Sequence, residues 1–215
     1  MEDILTLNGD SVFSFAGGET SLDCAIPAWH LWEKLASSGA SSYSSAMQDV
    51  ATVKSVREFW AHWINVPQPS ELLEGNKIVR EEVEGKPANI DSLMLFREGV
   101  KPEWEDPANR SGGHFAFTFR PATVSPAQVD EYWNNIVLGL VGGSIEPKDM
   151  VTGVRLVDKM SSGRNSCIRI EVWFTNYADT EAVNTLRSNV EACMSLHLDD
   201  THGHVPKAEQ KCHYE

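Results

Sequence analysis

The 215-residue sequence predicts an α+β fold: an antiparallel β-sheet with helices on one face. Three observations lead there. Runs that alternate with period two outnumber the helical ones, and they follow one another directly or through turns. The helical segments, in turn, open on capping signals. The length suits one domain with a sizeable core.

Residues 1–22 are Ser/Gly-rich without a clear period and read as a flexible tail. From Ile26 to Leu35, Trp29, Leu31, Glu33 and Leu35 alternate with His30, Trp32 and Lys34, as a strand requires. Ser37–Ser45 is a Ser/Gly/Ala loop broken only by Tyr43. An aromatic in so small and polar a loop has little core to join, which points to a surface site. Ser55-Val56-Arg57-Glu58 is a capping box, after which Val56, Phe59, Trp60, Trp63 and Ile64 form an arc broader than one buried stripe needs. Pro67 and Pro69 end that helix, and the acid-rich stretch 70–91 reads as a solvated insertion.

Ser92–Arg97 and His114–Arg120 read as strands. Ser125-Pro126-Ala127-Gln128 opens a second helix with Val129, Trp133, Ile136 and Leu140 on one face and Leu138 on the other, beside Glu131, Asn134 and Asn135. Val151–Lys159 and Asn165–Phe174 form a further strand pair, in which Cys167, Arg169, Glu171 and Trp173 share a face. A third helix starts near Asp179 or Thr180 and buries Val183, Leu186, Val190, Cys193 and Met194. Ser195–Asp200 reads as a last strand, so the domain spans 23–200, followed by a flexible tail at 201–215.

A net charge of −13 argues against broad coating of nucleic acid, which rests on many Lys and Arg contacts to phosphate. It leaves room for a small pocket of local positive charge. Seven Trp is a heavy load, and some of them suit a binding surface. No apolar run reaches the roughly 18 residues of a membrane span, and the N-terminus lacks signal-peptide character. Four scattered cysteines fit a reducing cytoplasmic or nuclear home. His197, His202, His204, Cys212 and His213 have no familiar zinc spacing. With no Walker motif, nucleophile–His pair or clustered metal ligands, neither catalysis nor a cofactor is expected.

The most informative segment runs from Leu95 to Phe117. A strand-like run breaks at Gly99 and Pro102, sets Trp104 beside Glu105 in a loop, and returns through Gly112-Gly113. The indole offers a stacking face, and the carboxylate accepts two parallel hydrogen bonds from one planar edge. Guanine has such an edge, because its ring N–H and exocyclic amino group are adjacent. The local reading is a guanine pocket.

These residues, together with Trp29 and Trp32, Val56-Arg57-Glu58-Phe59-Trp60, Tyr132-Trp133 leading to Leu138 and Gly142, and Ile170-Glu171-Val172-Trp173-Phe174, resemble the translation initiation factor 4E family of mRNA cap-binding proteins. The ordered set covers roughly residues 26–195. The resemblance implies a curved sheet with about three helices on its convex face and a cap pocket on its concave face. Two rings would sandwich 7-methylguanine: Trp104, and Tyr43 one residue later than the family spacing. Trp29 and Trp32 match structural positions and belong in the core. Glu105 would take the guanine edge and Trp173 would touch the methyl group. The cationic base adds a cation–π term to stacking.

Between Arg155 and Arg169 lie four basic residues (Arg155, Lys159, Arg164, Arg169) and one acid, a local charge of +3 suited to the triphosphate. Lys159 and Arg169 fall at the family's phosphate positions, and His114 stands where relatives often carry Arg. On the convex side Val56, Trp60 and Leu138 match the surface that receives helical peptides of the scaffold factor 4G or of repressor proteins. Asn134 departs from an apolar position there, and the 70–91 insertion has no counterpart. These departures suggest a divergent paralogue with altered partners. The alternative is a scaffold or translational repressor with weak or no cap binding.

Overall fold

The computed structural model describes residues 13–15, 18–20, 22, 24–36, 44–81, 87–197 and 201–214. β1 (Phe13–Phe15) and β2 (Gly18–Thr20) pair as a small ribbon. The other strands are β3 (Ala25–Leu35), β4 (Met47–Ser55), β5 (Val79–Glu81), β6 (Pro87–Arg97), β7 (Gly113–Phe119), β8 (Val151–Asp158), β9 (Ile168–Phe174) and β10 (Glu209–Cys212). Among the described residues these eight form one curved antiparallel sheet in the order β10-β7-β9-β8-β6-β3-β4, with β5 beside β6. The helices are α1 (Val56–Trp63), α2 (Pro69–Leu73), α3 (Pro126–Val141) and α4 (Thr180–Ser195).

The strand pleat divides the molecule into two layers. Leu93 and Leu95 of β6 and Ile170 and Val172 of β9 join Val129, Trp133, Ile136 and Val183 of the helices in the main core. Met94, Phe96 and Trp173, one residue out of phase, form a second cluster on the opposite face, against Trp32 and Met47. Trp29 is buried in the main core, whereas Trp32 packs on the front face beside Trp173.

The helix starts follow their caps. Ser55 accepts from Glu58 N (3.2 Å), while Glu58 reaches back to Lys54 N (2.7 Å). Ser125 accepts from Gln128 N (3.2 Å) and Asp179 from Ala182 N (3.1 Å). Each cap satisfies an N–H that has no partner within its helix.

The structure departs from the sequence reading in several places. β4 was not foreseen: of its nine residues only Val53 is buried, so an edge strand left little alternation to read. The 70–91 stretch is not simply a solvated insertion. α1 already stops at Trp63, before Pro67 and Pro69, and Pro69 instead starts α2; Leu72 and Ile78 are buried, and Pro87–Asp91 extends β6. α4 continues to Ser195, where the last strand was expected to begin, and among the described residues Leu196 makes an isolated bridge to His202. The 201–215 tail is tied down by β10 on β7, by Tyr132 Oη donating to His204 O, and by Ser195 with His202 (2.8 Å). In the 1–22 tail, β1 and β2 pair.

Candidate functional site

The β6–β7 loop carries Trp104 and Glu105 on a hydrogen-bonded frame. Asp106 accepts from Lys101 N (3.0 Å) and Ala108 N (2.9 Å). Fully buried Asn109 donates through Nδ2 to Lys101 O (2.8 Å) and Glu103 O (2.9 Å). Gly99, at φ 83°, supplies the left-handed turn that leads in. The loop is thus held by its own polar groups, while Trp104 (53% exposed) and Glu105 project from it toward water.

Two adjoining cavities open beside it. One, of about 550 Å³, is lined by Ser44, Pro102, Glu103, Trp104, Glu105, Arg155 and Trp173. The second, about 500 Å³, shares Trp104 and Arg155 and adds Lys34, Lys77, Lys159, Arg169 and Lys211, with Asp91, Asp158 and Glu171 as its carboxylates. Six cations against three carboxylates make it an electropositive basin on an acidic chain.

The floor is a buried charge network. Glu171 pairs with Arg169 (3.5 Å) and Arg155 (3.9 Å) and accepts from Trp173 Nε1 (3.2 Å). Ser92 Oγ accepts from Arg155 Nε (3.3 Å) and Nη2 (3.2 Å). Burial pushes the Glu171 carboxyl up, but Arg155, the His114 charge present at acid pH, the Trp173 N–H and Arg169 outweigh it and hold the group below its ordinary range. Arg169 Nε is buried without a hydrogen-bond partner among the described residues.

Behind Trp104 lies an imidazole pair. His213 Nδ1 meets the carbonyl of Asn109 at 3.0 Å, and its Nε2 meets His114 Nδ1 at 2.9 Å. A carbonyl only accepts, so His213 donates through Nδ1 and its neutral Nε2 accepts from His114 Nδ1–H. That assignment needs the His213 ring neutral, while His114 can donate in either charge state. Burial lowers His114 to about 4 against the pull of Glu171, and it lowers His213 as well.

A stability prediction follows from His114. Its folded-state value lies below the ordinary 6.5, so its stabilising effect is complete above pH 6.5 and is lost as pH falls toward 4. At about 1.36 kcal/mol per pH unit the loss reaches at most about 3 kcal/mol. Thermal unfolding from pH 7 to pH 4 should show a falling Tm, flattened in His114→Asn, whose amide still donates to His213. An equally steep slope in the variant would reject His114 as the cause.

The structure brings Trp104, Glu105, Trp173, Arg155, Lys159 and Arg169 to the two cavities. Arg164 sits on the exposed 3-10 turn between β8 and β9, outside the residues that line them. Tyr43 lies outside the described residues, and its neighbour Ser44 lines the first cavity. Lys34, Lys77, Lys211 and His213 were missed. The shared face of Arg169, Glu171 and Trp173 was already visible in the alternation of β9.

On the helical side Trp60 is 41% and Leu138 39% exposed, and Val56 is half-buried. Trp60 borders one shallow depression and Leu138 another, and Asn134 lines both. Asn134 is a polar strut: its Oδ1 accepts from Trp63 Nε1 (3.0 Å), and its Nδ2 donates to Gln68 Oε1 and Asp130 O (both 2.8 Å). That network occupies the amide an apolar residue would replace.

Residues 27–213 match the family model for eukaryotic initiation factor 4E. A wheat (Triticum aestivum) protein named eukaryotic translation initiation factor NCBP is 33% identical over 155 residues, covering 72% of this chain and 56% of the wheat protein. Eukaryotic translation initiation factor 4E of Candida glabrata is 31% identical over 175 residues, covering 80% of this chain and 72% of its own. This chain therefore spans little more than half of the wheat relative's length. Among solved structures, the complex of C. elegans eIF4E-3 with the 4E-binding protein Mextli and cap analog aligns with a TM-score of 0.65 at 17% identity, covering 88% of this chain and 92% of that one. At that identity the likeness concerns the fold.

Proposed function

The chain belongs to the eukaryotic initiation factor 4E family, and from that membership we propose that it binds the 7-methylguanosine cap of mRNA, without catalysis, in translation initiation or its regulation. The observation that carries the reading is the join between the cavities: one walled by Trp104, Glu105 and Trp173, the other by six cations, with Trp104 and Arg155 common to both. A flat base with a charged tail fits that join. Trp104 stacks on the methylated base, Glu105 accepts its N–H edge, and Trp173 flanks the methyl group. Lys159, Arg169 and Arg155 face the triphosphate. Ser44 at the cavity supports Tyr43, next to it in sequence, as the second ring.

The convex face would receive a helical segment of a 4G-like scaffold or a repressor on Val56, Trp60 and Leu138, in the cytoplasm. C. elegans eIF4E-3, which shares this fold, is solved in complex with the 4E-binding protein Mextli, and that supports a protein partner for this chain.

The test is titration of the full chain with 7-methylguanosine triphosphate and with GTP, followed by Trp fluorescence. Quenching by the methylated ligand at a concentration at least about tenfold lower is expected, because only that base is cationic. Glu105→Ala leaves two guanine donors unpaired and should weaken binding by roughly 1.5–3 kcal/mol, about tenfold to a hundredfold. Absence of quenching by the wild type at millimolar ligand would overturn the proposal in favour of a scaffold without cap binding.

A further inference from the structure

Trp104 needs support on the face it does not offer to ligand. Its frame is a loop, and its indole is about half exposed. The His213 ring lies nearly parallel to it, at 14° and 5.7 Å between centroids, and lines neither cavity. His213 also packs against Trp173 at 4.5 Å and His114 at 5.2 Å. It therefore forms the joint between the two tryptophans of the site. Three hydrogen bonds fix the residue: its backbone N–H to Gly112 O (3.1 Å) and, on the ring, Nδ1 to Asn109 O and Nε2 from His114. Two of these partners belong to the segment that carries Trp104. The residue arrives there because β10 pairs along β7, with Cys212 opposite Gly113.

We infer that His213 is a positioning residue of the cap site, backing the Trp104 indole and setting the angle of the stacking wall. This rests on the reading of Trp104 as the base-stacking ring. The consequence is that the last residues of the chain tune ligand affinity without touching ligand. A flat ring at 213 pre-orders the wall, so the ligand does not have to order it on binding. Losing that ring costs one stacked aromatic contact, about a threefold to tenfold drop in affinity.

The test compares His213→Ala with His213→Phe in the full chain. Phe keeps a flat ring and loses both ring-nitrogen hydrogen bonds; Ala loses both features. In ligand-free protein the Trp104 indole N–H resonance, assigned by its disappearance in Trp104→Phe, should move in His213→Ala and stay near its wild-type position in His213→Phe. Affinity for 7-methylguanosine triphosphate should fall about threefold to tenfold in His213→Ala and recover to within about twofold in His213→Phe. A merely structural role predicts instead that both variants lose affinity in step with Tm. That pattern, or an unmoved resonance in His213→Ala, would overturn the inference. If the wild type binds no methylated nucleotide, the cap reading fails, and the resonance shift alone still decides whether His213 positions Trp104.

Discussion

Trp104→Ala is expected to abolish retention on a 7-methylguanosine-triphosphate resin while leaving the protein folded. The ring is about half exposed, so its removal opens no large cavity, and the loop beneath it is held by Asp106 and Asn109. What would be lost is one face of the proposed base sandwich, worth roughly 1–3 kcal/mol for a neutral base and more for a cationic one. About a hundredfold loss of affinity is the expected scale. Trp173 is no substitute for this experiment. It is 1% exposed, and its truncation removes packing from Phe96 and a hydrogen bond from Glu171. A Tm within a few degrees of wild type together with loss of retention supports the pocket; undiminished retention rejects it.

How far the site could be read from sequence depended on whether its residues are neighbours along the chain. Trp104 and Glu105 are consecutive, and Arg169, Glu171 and Trp173 alternate on one strand, so local pattern exposed both groups. The Arg155–Glu171 pair needs the register of β8 against β9, which sets those two residues opposite each other. Nothing in either strand alone specifies that. His213 lies further from sight. The strand before it, Glu209–Cys212, is short and mostly polar, with no apolar alternation to announce it, and its partner lies about a hundred residues earlier. Lys77 reaches the basic cavity from the stretch read as solvated insertion, because buried Leu72 and Ile78 fasten that stretch to the core. The fold class was legible because period-two alternation and capping boxes are local signals. Edge strands escaped because packing on the sheet, not their own composition, holds them.

The same site makes its heaviest demand on stability at Gly112, the first glycine of the pair that returns the loop into β7. A Cβ there would sit 1.8 Å from the carbonyl oxygen of Phe174, 2.8 Å from its carbonyl carbon and 2.9 Å from Thr175 Cα. All three are backbone atoms at the end of β9, so no rotamer change relieves the clash. Gly112→Ala must push the loop's return away from β9, and with it the Gly112 carbonyl that holds the His213 N–H. Destabilisation of about 3 kcal/mol or more is expected. Gly153→Ala offers an internal comparison. Its Cβ would meet the Phe96 ring at 2.4–2.6 Å, and that ring packs edge-on against Trp173. A ring can turn where a backbone cannot, at the expense of disturbing the floor beneath Trp173. Denaturant unfolding should therefore rank Gly112→Ala below Gly153→Ala in stability, with Gly153→Ala weakening ligand binding in the protein that remains folded. A Gly112→Ala variant within 1 kcal/mol of wild type, roughly the scale of an ordinary substitution, would refute the close approach of β9 to this turn.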